Sequence, residues 1–199
     1  MGMINSITHD MQPDKKTVTA KTIATEILLW FLGVAFVSLL AQVVIPLPWT
    51  PVPITGQTFG VALMALLFGR NRAFSVMGTY LLIGALGAPV FSAGTSGLLM
   101  GPTVGYLFGM SLGALVIGEL ANRGACKSWL TAFFAAACGS VITFTLGVIV
   151  LGHFIGGHTT GAGNAAGLFI MGVLPFLPGD FLKNALAAAI AVQAHKRVR

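Results

Sequence analysis

Lysine and arginine fall almost only at alternate breaks between long apolar stretches, and this pattern limits the possible folds more than any motif does. Lys15, Lys16 and Lys21 precede the first apolar stretch; Arg70 and Arg72 share one short connection, Arg123 and Lys127 another, and Lys196, Arg197 and Arg199 end the chain. The connections between these, around residues 46–56, 89–101 and 153–164, hold no lysine or arginine. Cytoplasmic connections of membrane proteins collect such residues. Both termini are therefore expected in the cytoplasm, and the number of spans must be even. A span takes ~20 apolar residues, so the chain has room for about six spans with short connections. At 56% hydrophobic and 8% charged, the sequence does not fit a soluble domain. The expected fold class is an all-α, multi-pass integral membrane protein with six transmembrane helices.

Breakers place the spans. Residues 1–22 read as a polar cytoplasmic tail, 23–195 as one membrane domain and 196–199 as a basic tail. No signal-peptide pattern fits, because the first apolar run is too long and lacks a cleavage site. Span 1 covers Ile23–Ile45 and stops at Pro46, the first of four prolines in eight residues, which no helix continues through. Span 2 covers Gln57–Phe68, span 3 Ala73–Ala88, span 4 Pro102–Leu120 and span 5 Trp129–Gly152. The last apolar region, Ala165–Ala194, is interrupted by Pro175 and Pro178. The basic residues flank spans instead of lining a face, so topology accounts for the charge and no nucleic-acid partner is implied. Cys126 is expected to face the cytoplasm and Cys138 to be buried in a span, which leaves no disulfide. His153 and His158 read as exposed loop histidines, since a metal site would want more ligands.

One lysine breaks the pattern. Lys183 lies inside the last apolar region, three residues after Asp180, in P-F-L-P-G-D-F-L-K-N. Ionisable residues at membrane depth are expensive and mark functional sites by default. Pro178 suits the first turn of a helix, and Asp180 would then sit where the helix dipole favours a carboxylate. Lys183 and Asn184 follow one turn later. The group reads either as a recognition site, with an acceptor, a cationic donor and an amide, or as a buried structural ion pair. Desolvation of a bare pair outweighs its attraction, which favours recognition.

The connections without lysine or arginine carry the other candidates. Thr55, Gln57 and Thr58 open span 2 and serve as a cap or as ligand groups; both readings stand. Thr103 and Tyr106 stand at the outer mouth of span 4, whose Gly101, Gly105, Gly109 and Gly113 row reads as helix packing. Tyr80 and Asn164 are weaker candidates. Irregular backbone at membrane depth survives only where protein or a cavity satisfies it, so a small polar-lined pocket is expected in the outer half. No G-x-x-x-x-G-K-[ST], H-E-x-x-H or G-x-S-x-G occurs, and no two carboxylates fall near each other in a span. An enzyme is not expected, and ATP is not cradled by this chain.

V-P-I-T-G-Q-T-F-G, G-A-L-G-A-P-V-F, G-P-T-V-G-Y and L-P-F-L-P-G-D-F-L-K occur in that order. Over about residues 30–192 the chain resembles BioY, the biotin-specific substrate-binding (S) component of energy-coupling factor transporters. The resemblance implies six helices, biotin as the transported ligand with no cofactor, and surrounding membrane lipid. It also implies a transmembrane coupling protein with cytoplasmic ATP-binding subunits as partners. It carries Asp180 and Lys183 over as ligand residues, with Thr55, Gln57, Tyr80 and Tyr106 as further candidates; Thr103 and Asn184 join them from the residue reading. The small-xxx-small pattern that S components use on helix 1 is matched only by Ala20 and Ala24, while Gly33, Ala35, Ser38 and Ala41 do not keep the spacing. Two other readings are an S component for another vitamin and an autonomous small-molecule carrier.

Overall fold

Helix breakers set the element order in the computed structural model, which describes residues 20–97, 100–155 and 164–198. Among these described residues seven α-helices follow one another: α1 (Ala20–Ala41), α2 (Gln57–Phe68), α3 (Arg70–Ala85), α4 (Val104–Asn122), α5 (Trp129–Ile155), α6 (Ala165–Gly172) and α7 (Leu177–Val198). The first 19 residues of the expected tail lie outside the described residues, as do 156–163 with His158, and Arg199.

The boundaries differ from expectation in informative places. α1 ends four residues early, and the Pro-rich segment folds back on itself as an antiparallel ribbon of β1 (Val44–Ile45) and β2 (Ile54–Thr55), with Val44 opposite Thr55. Arg70 and Arg72 belong to the first turn of α3, not to a connection. Gly69 alone makes the break, at φ +76°, a conformation glycine adopts without penalty. The last apolar region bends by 49° between α6 and α7. Pro175 lies in the break, and Pro178 stands in the first turn of α7.

Among the described residues, three helices are long and apolar enough to cross a membrane: α1 from Ile23, α4 and α5. The bent pair α6 and α7 makes a fourth candidate. α2, with 12 residues, is apolar but shorter. Large apolar side chains face outward along these helices, including Phe31, Leu39 and Val141. Such a surface is that of a membrane protein.

Lipid tails are as apolar as leucine, so close backbone approach does much of the helix packing. α4 and α5 show how. A Cβ on Gly109 would lie 2.7 Å from Thr143 Cα, and one on Gly113 2.9 Å from the Gly139 carbonyl oxygen. Gly105 meets Leu146 and Val150 in the same way. Gly101 departs from the expected row, because nothing lies within 4 Å of its Cβ position.

At the basic end, Glu119 of α4 holds Arg123 at 2.7 Å and Arg70 at 3.5 Å. Arg72 of α3 donates from Nε to Glu26 of α1 at 2.6 Å. The two cysteines exchange their expected surroundings. Cys126 is buried in the turn 125–127 and donates to the Leu66 carbonyl oxygen at 3.4 Å, while Cys138 faces outward on α5. His153 is exposed, but in the last turn of α5 instead of a loop.

Candidate ligand-binding site

A cavity of about 220 Å³ opens at the end of the bundle where residues 52–57 and 91–97 meet the start of α4. The turn into α2 supplies Thr55 and Gln57, the segment 91–97 supplies Phe91, Ser92, Thr95 and Ser96, and the start of α4 supplies Thr103 and Tyr106. Phe144 of α5 and Phe176, just before α7, close one side, with ring centroids 6.3 Å apart. Gly101 also lines the cavity, which explains why it alone of its row packs against nothing.

Thr55, Gln57 and Tyr106 are fixed by hydrogen bonds. Thr55 Oγ1 donates to Gln57 Oε1 at 3.0 Å, so the amide nitrogen must point the other way, where it donates to Tyr80 Oη at 2.6 Å. Tyr80 donates onward to the Val90 carbonyl oxygen at 3.1 Å. Tyr80 is fully buried behind the wall, and its ring meets Phe91 edge-on at 5.4 Å. It braces the segment leading into 91–97 and does not line the cavity. Tyr106 is held by its donation to the Gly172 carbonyl oxygen at 2.8 Å. Only glycine fits at 147 and 172, because a Cβ at either would press on the Tyr106 side chain.

Asp180, Lys183 and Asn184 sit on α7 next to Phe176 and do not line the open cavity. Asp180 and Asn184 are buried and Lys183 is half-buried. Among the described residues, no direct ion pair joins Asp180 and Lys183. Lys183 Nζ reaches α2, donating to the Thr55 carbonyl oxygen at 2.6 Å and to Thr58 Oγ1 at 3.2 Å. Asp180 instead meets Asn184, whose Nδ2 donates to Asp180 Oδ2 and to Ser140 Oγ of α5, both at 2.9 Å. Side chains three apart on a helix reached different neighbours because each found polar partners elsewhere.

That arrangement leaves Asp180 Oδ1 buried without a hydrogen-bond partner. An unsatisfied buried acceptor costs about 1–3 kcal/mol, more when charged. Thr55 links the two halves of the site, since it lines the cavity and its carbonyl holds Lys183. Of the expected residues, Thr55, Gln57, Thr103 and Tyr106 come together at the cavity. Asp180, Lys183 and Asn184 form a second polar group beside it. Asn164 lies apart, capping α6 by accepting from the Gly167 amide at 2.8 Å.

Sequence reasoning missed Phe91, Ser140, Phe144 and Phe176. Ser140, Thr143, Phe144 and Gly147 share one face of α5 by their spacing, a signal that becomes readable once α4 is known to pack there.

The family model described as the BioY family matches residues 11–199. The chain is 39% identical to "Biotin transporter BioY" of Thermotoga maritima over 154 residues, 76% of this chain and 86% of that protein. It is 32% identical to "Probable biotin transporter BioY" of Pyrococcus horikoshii over 170 residues, covering 84% of this chain and 94% of that one. Among solved structures, the S-component for biotin from an ECF-type ABC transporter superposes with a TM-score of 0.79 at 23% identity, over 89% of this chain and 94% of that chain. At that identity the last likeness is one of fold. The family match spans nearly the whole chain, both relatives exceed 30% identity, and the fold agrees: the chain belongs to the BioY family.

Proposed function

We propose that this chain binds biotin and serves as the substrate-specific component of an energy-coupling factor transporter, carrying the vitamin across the bacterial cytoplasmic membrane. The names of its relatives support the substrate. The observation that carries the site is the unpartnered Asp180 Oδ1, buried on α7 beside an aromatic-walled cavity. Biotin's ureido ring has two N–H donors and a carbonyl, its thioether ring is apolar, and its valerate ends in a carboxylate. Asp180 Oδ1 accepts a ureido N–H, while Lys183 donates to an oxygen of the ligand. Tyr106, Phe144 and Phe176 take the thioether ring. Thr55, Gln57, Thr103 and Asn184 supply or orient the remaining polar contacts, and Tyr80 holds Gln57 in place.

Six spans and cytoplasmic termini belong to the same proposal. α2 and α3 act as spans with the help of the ribbon and the segment 86–97, which fill the outer part of the bundle. The chain does no chemistry of its own. ATP-driven work falls to partner ATP-binding subunits through a transmembrane coupling protein, since no segment here has the phosphate-binding loop that such work requires. The test is titration of purified protein with biotin, in wild type and in Asp180→Asn. Loss of binding in a folded variant supports the site, and unchanged affinity contradicts it.

A further inference from the structure

At the far end of α4 from the cavity lies a second concavity, of about 290 Å³, between the turn 123–127 and the last turns of α7. Arg123, Lys127, His195 and Lys196 line it, with Asn122 and Gly124, and among the described residues no carboxylate does. Of the two glutamates described at this end, Glu26 is taken by Arg72, and Glu119 is the one on α4. Its single charge is shared between Arg123 and Arg70. Among the described residues, Lys127 and Lys196 make no ion pair. His195 Nδ1 lies 3.0 Å from the Ala191 carbonyl oxygen, which makes that nitrogen a donor and leaves Nε2 as the ring's other polar atom.

The turn is shaped around one of these cations. Gly124 has φ +96°, and a Cβ there would stand 2.9 Å from Lys127 Cε and 3.3 Å from Nζ. A side chain at 124 would push the lysine away, so glycine lets the stem fold back across the turn. The outer faces beside the concavity are apolar. Trp129 and Leu130 open α5, and Leu186 and Ile190 face outward on the neighbouring turns of α7. Trp129 ties the two helices together by donating from Nε1 to the Ala185 carbonyl oxygen at 3.1 Å. Tryptophan at this level is the usual anchor between headgroups and acyl chains.

A donor-rich hollow that meets outward apolar helix faces matches a molecule with an anionic head and a hydrocarbon body. We propose that this concavity holds the phosphate of an anionic membrane lipid, with its acyl chains lying along the outer faces of α5 and α7. Basic pockets between membrane helices take lipid headgroups for this reason. An inorganic phosphate would use only the hollow, and an acidic protein segment would leave the apolar faces unexplained.

The test uses the full chain in nanodiscs of phosphatidylcholine, with or without phosphatidylglycerol, and in detergent with glycerol 1-phosphate. Retained lipid is read by mass spectrometry and stability by melting. Phosphatidylglycerol should be retained in preference and should raise Tm. In Lys127→Ala with Lys196→Ala its affinity should fall roughly twenty-five-fold, about fivefold for each lysine. Lys127→Arg with Lys196→Arg should restore it. Should the alanine pair fold poorly in phosphatidylcholine, the glutamine pair carries the comparison, since it keeps most of each stem. Unchanged phosphatidylglycerol preference in the alanine or glutamine pair would overturn the proposal. So would equal protection by glycerol 1-phosphate without lipid. Weaker assembly with a partner protein at unchanged lipid preference would overturn it in favour of an acidic protein surface.

Discussion

Asp180 carries one oxygen that is satisfied and one that is not, and its variants separate the two roles it could have. Asp180→Asn should lower biotin affinity about tenfold to a hundredfold, the range for losing a hydrogen bond to a charged group. Its ligand-free Tm should change little, because the lost oxygen has no protein partner. Lys183→Met should lower ligand-free Tm further than Asp180→Asn does, since it strips donors from the Thr55 carbonyl and Thr58 and leaves Asp180 without a nearby cation. Calorimetric titration and ligand-free melting of both variants check this. The cysteines give a separate test. Burial pushes the Cys126 thiol up and holds it against Leu66, so a maleimide should react with it slowly at neutral pH and faster as pH rises. Rapid neutral-pH modification of Cys126 in a Cys138→Ser protein would contradict its placement. The sequence exposed Asp180 and Lys183 because charge inside an apolar run stands out. It could not expose Ser140 or Phe144, which are ordinary in such a helix until the facing helix fixes which side points inward.

Elements follow their breakers, and the departures come from signals too short to read. The ribbon of two-residue strands shows no alternation, so the Pro-rich segment reads only as irregular. The break at Gly69 takes a single residue, so Arg70 and Arg72 read as a connection although they open α3. The glycine row of α4 was legible as packing, and its exception was not: Gly101 has the right spacing but stands beyond α5's reach, at the cavity. That contrast is measurable. Gly109→Ala should destabilise by about 1–3 kcal/mol, as overpacking does, because its Cβ would meet Thr143 backbone that has nowhere to go. Gly101→Ala should leave ligand-free Tm almost unchanged. Equal loss in both variants would show that α4 and α5 do not meet in this register.

At the scale of the molecule, the charges separate two ends with different chemistry: a basic end holding the ion pairs of α1, α3 and α4, and an opposite end holding the cavity. The proposed orientation puts the basic end in the cytoplasm. In a background without native cysteine, Thr95→Cys should react with an impermeant reagent outside intact cells and Asn71→Cys should not; reaction of both would contradict six alternating spans. The central claim is that the chain by itself holds biotin at the outer end, with transport left to its partners. Ligand that binds only the folded form stabilises it, by about 2.7 kcal/mol at a hundred times Kd. The most direct measurement is therefore titration and melting of purified protein with biotin, desthiobiotin, thiamin and riboflavin. Saturable binding and a clear rise in Tm are expected with biotin, and neither with thiamin or riboflavin. No response to biotin, or an equal response to riboflavin, would contradict the central claim.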